Sequence, residues 1–251
     1  GRQRINWGQN FVWNPNDIFN AYSFFDLDYP ERPGSDALHL QYYIGFASSV
    51  ELAAKWNHQD ELTAAAKFLF NQWEYDFQLL AGVYNDDDWM AGAGWSGAIG
   101  NSAFRGEMSY FHPKENMQDT SGIFVGAVGA DYMFGNELYL QAEAIYNQLP
   151  ENDGQSGFMG MLGMETNAKK LLFTEYAFFA QAGYPVTPLW NATLAGMAYP
   201  DISGFYIGPS VEYSATDNLY LSLNYQYFEG EFGSSLKNKT HLAFFRVKWN
   251  Y

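Results

Sequence analysis

The sequence predicts an all-β fold, an antiparallel transmembrane β-barrel of about 14 strands. Three observations predict it: apolar and polar residues alternate, aromatics are abundant, and short and long connections follow a regular parity. The C-terminal stretch shows the alternation most clearly. Ala243, Phe245, Val247, Trp249 and Tyr251 fall on one face of an extended chain, and Arg246, Lys248 and Asn250 fall on the other. A strand that meets acyl chains on one side and water on the other needs this period of two.

The predicted strands run, in order, from Arg2 to Trp13, Ala37 to Ile44, Ser49 to Asn57, Leu62 to Asn71, Tyr75 to Asn85, Trp89 to Ile99 and Ser102 to Phe111. They continue from Gly122 to Phe134, Leu138 to Asn147, Leu172 to Tyr184, Trp190 to Tyr199, Ser203 to Tyr213, Leu219 to Glu229 and Thr240 to Tyr251. Most are near the ~9 to 11 residues that a tilted membrane strand requires. Connections on one side are short: Phe46 to Ser48, Gly100 to Asn101, Phe134 to Glu137 and Ser214 to Asn218. Those on the other include Asn14 to Asp36, His112 to Asp119, Gln148 to Leu171 and Glu229 to Lys239. Outer-membrane barrels place short turns at the periplasm and long loops outside, so both termini are expected at the periplasm. No linker interrupts the pattern, and residues 1–251 are expected to form a single barrel domain with 14–36 as a long extracellular, pore-constricting loop.

The alternative is a soluble β-sandwich, which also alternates. Apolar sets such as Val50, Leu52, Ala54 and Trp56, or Leu219, Leu221, Leu223, Tyr225 and Tyr227, would then form a dry core between two sheets. Composition favours the membrane. The chain has 19 Tyr, 21 Phe and 8 Trp among 251 residues, enough for girdles at two interfaces, and only 16% of its residues are charged. Its mean hydropathy of −0.30 is too polar for a bundle of membrane helices. No apolar run approaches the ~18 residues of a spanning helix.

With no cysteine, the chain has no disulfide framework, thiolate zinc site or cysteine nucleophile. A net charge of −15 argues against a nucleic-acid partner. The chain opens abruptly inside Gly1-Arg2-Gln3-Arg4-Ile5-Asn6-Trp7-Gly8, with no signal peptide before it, so residues upstream are expected to be missing.

Strand parity assigns the inward charges. Arg2, Arg4, Arg105, Arg246 and Lys248 are the expected pore-lining cations, with Lys55 and Lys67 interspersed. Glu51, Asp76, Glu107, Asp131, Glu143, Glu175 and Glu212 are the expected acidic lining. Separated basic and acidic walls would set a transverse field that orients polar solutes. The other reading is that these charges pair across strands and stiffen the interior. In the first long loop, Asp17, Phe24, Phe25, Asp26 and Asp28 would form a constriction, because a loop so rich in rings buries them by folding inward. A cap over the mouth or a contact surface is the alternative.

Acidic clusters at Asp60-Glu61 and Asp86-Asp87-Asp88 lack the spacing of a calcium loop and read as solvated loops, so no metal or cofactor is expected. Catalysis has little to stand on. His39, His58, His112 and His241 lie outside any nucleophile elbow or zinc helix, and only His241, with Ser234 and Ser235 nearby in sequence, suggests a lipase-like rim site. No enzyme activity is expected.

Two stretches carry a family resemblance. Arg2 to Gly8, followed by Trp13-Asn14-Pro15-Asn16-Asp17-Ile18-Phe19-Asn20, and Phe104-Arg105-Gly106-Glu107 with the aromatic C-terminus, resemble outer-membrane porins of the alginate-export type and related barrels of Gram-negative bacteria. The terminal aromatic resembles the mark that barrel-assembly machinery reads in that class. The resemblance implies an outer-membrane location and places Arg2, Arg4 and Arg105 in the lumen against an anionic solute. The chain departs from an alginate exporter in being poor in arginine and rich in carboxylates. The expected function is a porin-like channel for passive or weakly selective diffusion of small hydrophilic solutes. The alternative is a non-transporting barrel that acts as a structural subunit or anchor of a larger outer-membrane assembly. Lipid, lipopolysaccharide, the solutes and other outer-membrane proteins are the expected partners.

Overall fold

A computed structural model of the chain describes residues 2–21, 35–57, 59–115, 117, 120–149, 166–231 and 237–250. Among the described residues, fourteen strands lie in one sheet in sequence order. They are β1 (Arg2–Gln3), β2 (Ser35–Tyr43), β3 (Ser49–Trp56), β4 (Leu62–Gln72), β5 (Tyr75–Tyr84), β6 (Asp88–Ile99) and β7 (Ser102–Pro113). β8 (Ile123–Met133), β9 (Tyr139–Asn147), β10 (Tyr176–Thr187), β11 (Trp190–Tyr199), β12 (Gly204–Thr216), β13 (Leu219–Glu231) and β14 (Lys237–Trp249) follow. The chain divides into two compact units. The first holds β1 to β7, the start of β8 and the end of β9; the second holds the rest of those two strands and β10 to β14.

Connection parity is as the sequence predicts. One side carries residues 44–48, 73–74, 100–101, 134–138, 188–189 and 217–218, all short, while the other carries the long connections 4–34 and 148–175. The tightest turns have the backbone that two-residue hairpins require. Trp73 and Glu74 both adopt positive φ, 54° and 64°, the geometry whose twist matches the flanking strands. At Gly100 φ is +62°, where the absence of a Cβ removes the cost.

In the first unit β2 to β7 pair antiparallel in unbroken register. Their two faces differ. Ser49, Glu51 and Ala53 of β3 are buried while Leu52 and Trp56 are exposed, and on β5 Gln78 and Leu80 are buried while Leu79 is 51% exposed. The exposed face is thus the apolar one, which excludes the soluble-sandwich alternative for these strands. Leu79 sits between Phe68 and Ala93 of the neighbouring strands. Leu79→Arg should destabilise the protein in a bilayer by about 2–4 kcal/mol, read by urea titration of refolding into vesicles. An unchanged midpoint would show that this face does not meet lipid.

In the second unit Leu194, Leu223, Phe245, Val247 and Trp249 are exposed in the same manner. On the opposite face Phe179, Met197, Tyr206 and Phe228 follow one another through the register of β10 to β13, all buried. Pro209 lies inside β12, where the β12–β13 register skips Gly208 and Pro209; a residue without an N–H is tolerated where the ladder is open.

Two predicted elements differ most from the structure. The first strand does not run from Arg2 to Trp13: β1 stops at Gln3, and residues 4–20 leave the sheet. β10 begins at Tyr176 rather than Leu172, because Leu171, Leu172 and Thr174 are buried in a loop. That loop is pinned by Asn147, itself fully buried. Its Oδ1 accepts from Leu171 N at 2.8 Å and its Nδ2 donates to Lys169 O at 3.1 Å. Asn147→Leu should cost about 1–3 kcal/mol by leaving these groups without partners, measured by the same titration.

Candidate functional site

The chain from Arg4 to Asn20 lies on the covered face of β2 to β7. Its apolar side chains make the contact: Ile5, Trp7, Ile18 and Phe19 are all at most 2% exposed and share one apolar cluster with Ala37, Ala53, Ala65, Leu80, Met90 and Phe111 from the strands. Trp7 and Phe19 meet edge to face, with centroids 5.0 Å apart. Burying each such side chain is worth about 1.5–3 kcal/mol, which offsets leaving the ladder. Arg4 and Asn6, between the buried residues, are exposed.

Two carboxylates hold the segment. Glu107 of β7, 1% exposed, accepts three backbone N–H groups: Gln9 and Asn10 (2.7 Å) on Oε1, and Asn16 (2.9 Å) on Oε2. Such charge-assisted bonds are about twice as strong as neutral ones and satisfy the donors of a turn that has no ladder partner. Glu51 of β3 accepts from Trp7 Nε1 at 2.9 Å, pairs with Lys67 Nζ at 2.8 Å and bonds His39 Nε2 at 3.0 Å. Glu51 and Lys67 are direct cross-strand neighbours in register, and Lys67 also lies 5.4 Å over the Trp7 ring.

Further donors complete the seat. Gln78 Nε2 donates to Trp7 O at 2.9 Å, Lys55 Nζ donates to Phe19 O, and Ser109 Oγ reaches Pro15 O and Asn16 Oδ1. Asn16 Nδ2 donates to Ala93 O at 2.9 Å, on β6. This approach depends on two glycines. A Cβ on Gly92 would stand 2.7 Å from Asn16 Oδ1, and one on Gly94 3.1 Å from Asn16 Nδ2. Arg105 lies 3.7 Å over the Phe11 ring and donates to Gln9 O at 3.4 Å.

The remaining anticipated lining residues are spread through the fold. Arg2 is in β1, paired in register with Asp36. Asp76 is exposed beside the β4–β5 turn and accepts from Asn71. Asp131 is half-buried on β8, Glu143 is buried on β9, and Glu175 is exposed just before β10. On the second unit Glu212, Ser222 and Arg246 follow one another across β12, β13 and β14, with Lys248 two residues beyond Arg246; Glu212, Arg246 and Lys248 are exposed. Asp17 is buried in the segment 4–20, whereas Phe24, Phe25, Asp26 and Asp28 lie outside the described residues. Asp88 departs from the solvated-loop expectation: it is 2% exposed and paired with Lys169 at 2.6 Å. His241 Nδ1 shares a 2.6 Å hydrogen bond with the Tyr225 hydroxyl, and Ser234 and Ser235 are outside the described residues.

Sequence reading missed the seat formed by Asn16, Gln78, Ser109, Gly92 and Gly94. Its available signal was the pair of glycines two apart inside a strand, which marks close approach of another backbone.

An antiparallel sheet with an apolar exposed face, a covered face that holds the buried charged and polar side chains among apolar ones, and short and long connections on opposite sides is the architecture of an outer-membrane β-barrel. Among solved structures, the chain is similar to the outer-membrane channel DcaP of Acinetobacter baumannii, with a TM-score of 0.51 at 9% identity over 86% of this chain and 84% of that one. The outer-membrane protein OmpT of Vibrio cholerae aligns with a TM-score of 0.46 at 10% identity, over 84% of this chain and 86% of that one. No family model and no curated protein matches the sequence. The likeness to alginate-export porins therefore rests on the motif residues alone.

Proposed function

We propose that the chain forms an outer-membrane channel for passive or weakly selective diffusion of small hydrophilic solutes, narrowed from within by residues 4–20. The observation that supports this reading is the segment 4–20 on the covered face, seated on Glu51 and Glu107 and leaving Arg4 and Asn6 exposed. A pore crossed by a peptide held through side-chain carboxylates admits small solutes past polar groups and excludes large ones. The long connections then lie outside the cell, both termini lie in the periplasm, and Glu212, Arg246 and Lys248 line the wet wall that a solute follows. DcaP is a channel, and the shared fold supports the same use here.

A second reading, a non-transporting barrel that anchors a larger assembly, draws on the density of those anchoring contacts. Planar-bilayer recording separates the two. Discrete single-channel steps from the purified full chain are expected, with a reversal potential that moves when Arg246 and Lys248 are both replaced by Gln. A silent membrane, even after residues 4–20 are deleted, would overturn the channel and leave the anchor.

A further inference from the structure

We infer that the outward face of β13 and β14, at the end of the sheet that carries the long connections, is a binding site for the phosphate of a membrane lipid. Lys237 and Lys239 project from the same face of β14, two residues apart, in a chain with 13 Lys and Arg against 28 Asp and Glu. Both ammonium groups reach one carboxylate: Lys237 Nζ lies 3.2 Å from Glu229 Oε1 and Lys239 Nζ 3.4 Å from Oε2. Each ammonium has three N–H groups and spends one there, so both keep donors, and their side chains are 48% and 57% exposed.

The surroundings point to an amphiphile. Glu229 is also held by the Tyr227 hydroxyl at 2.5 Å, and the Tyr227 ring lies 4.8 Å from that of His241. The register places Glu231 opposite Lys237, Glu229 opposite Lys239, Tyr227 opposite His241 and Tyr225 opposite Ala243, so charge gives way to aromatic and then apolar side chains along the face. Leu223, Phe245, Val247 and Trp249 follow, all exposed. A lipid lying on this face has its chains against the apolar rows and its headgroup beside the lysines. Glu229 and Glu231, opposite Lys239 and Lys237, balance the two positive charges, so the cluster works as an array of N–H donors fixed at headgroup depth and not as a net positive patch. The lysine contribution is the attraction of cations at a membrane surface for lipid phosphate.

The test titrates the detergent-solubilised full chain with a bis-phosphorylated lipid A, with its phosphate-free counterpart and with inorganic phosphate, reading adducts by native mass spectrometry. Lys237→Gln with Lys239→Gln should weaken binding of the phosphorylated lipid about 30-fold. Glu229→Gln, which removes the competing carboxylate, should strengthen it several-fold. Equal binding of the phosphate-free lipid, equal binding of inorganic phosphate, or no effect of the lysine pair would each overturn the site. If the lysine variant does not fold, Glu229→Gln decides alone, and unchanged or weakened binding overturns the site. None of these results depends on whether the protein conducts.

Discussion

Glu107→Ala should raise the single-channel conductance several-fold and lower the stability of the first unit by about 3–5 kcal/mol. The carboxylate accepts from Gln9, Asn10 and Asn16, and its loss leaves three backbone N–H groups without partners in a buried position. Each such orphan costs about 1–3 kcal/mol if it stays buried, so the segment reduces the cost by moving out to water. In the proposed channel, that movement widens the path. Glu107→Gln should behave differently, because one oxygen remains to accept while an amide N–H₂ faces the other donors. An intermediate conductance is expected from it. Bilayer recording and denaturant titration, made on the same preparations, check both effects; a less stable protein with wild-type conductance would show that the segment does not narrow the path.

Trp7→Ala should cost about 3–5 kcal/mol, the usual range for truncating a large buried ring. Three contacts go together: the edge-to-face packing on Phe19, the ring beneath Lys67 and the indole N–H on Glu51. Trp7→Phe removes the N–H and keeps an aromatic in the cavity, while Glu51 retains Lys67 and His39. The expected loss is then about 1–2 kcal/mol. Intrinsic fluorescence during urea unfolding reports both, and equal losses from the two variants would show that the ring packing contributes nothing beyond the hydrogen bond.

The strands were legible because one physical constraint governs each of them. Rows such as Leu52 and Trp56 against Glu51 and Ala53 cannot slip by one residue without exposing charge to lipid, so period-two alternation reports the face directly. The first segment escaped this logic. Ile5 and Trp7 alternate with Arg4 and Asn6 as a strand's residues would, yet their partner is a covered sheet face and not acyl chains. Alternation records that a residue is buried, not what buries it. The apolar run at Leu171 and Leu172 misled in the same way, for those side chains fill a loop whose backbone is held by the side chain of Asn147. Strand parity put Glu51 and Glu107 on the face opposite the apolar rows, and both are buried there, but their work as acceptors for residues 4–20 depends on residues far away in sequence. Only the glycines opposite Asn16 carried a local trace of it.

The absence of cysteine makes one measurement decisive for the placement of residues 4–20. Asn16→Cys combined with Gly92→Cys places two thiols where a Cβ on Gly92 would already touch the Asn16 side chain. Mild oxidation of the folded protein in membranes should close an intramolecular disulfide in most molecules, and neither thiol should then react with a water-soluble maleimide. Two free thiols that both label under the same conditions, in a protein that remains folded, would contradict the placement of residues 4–20 against β6 and β7.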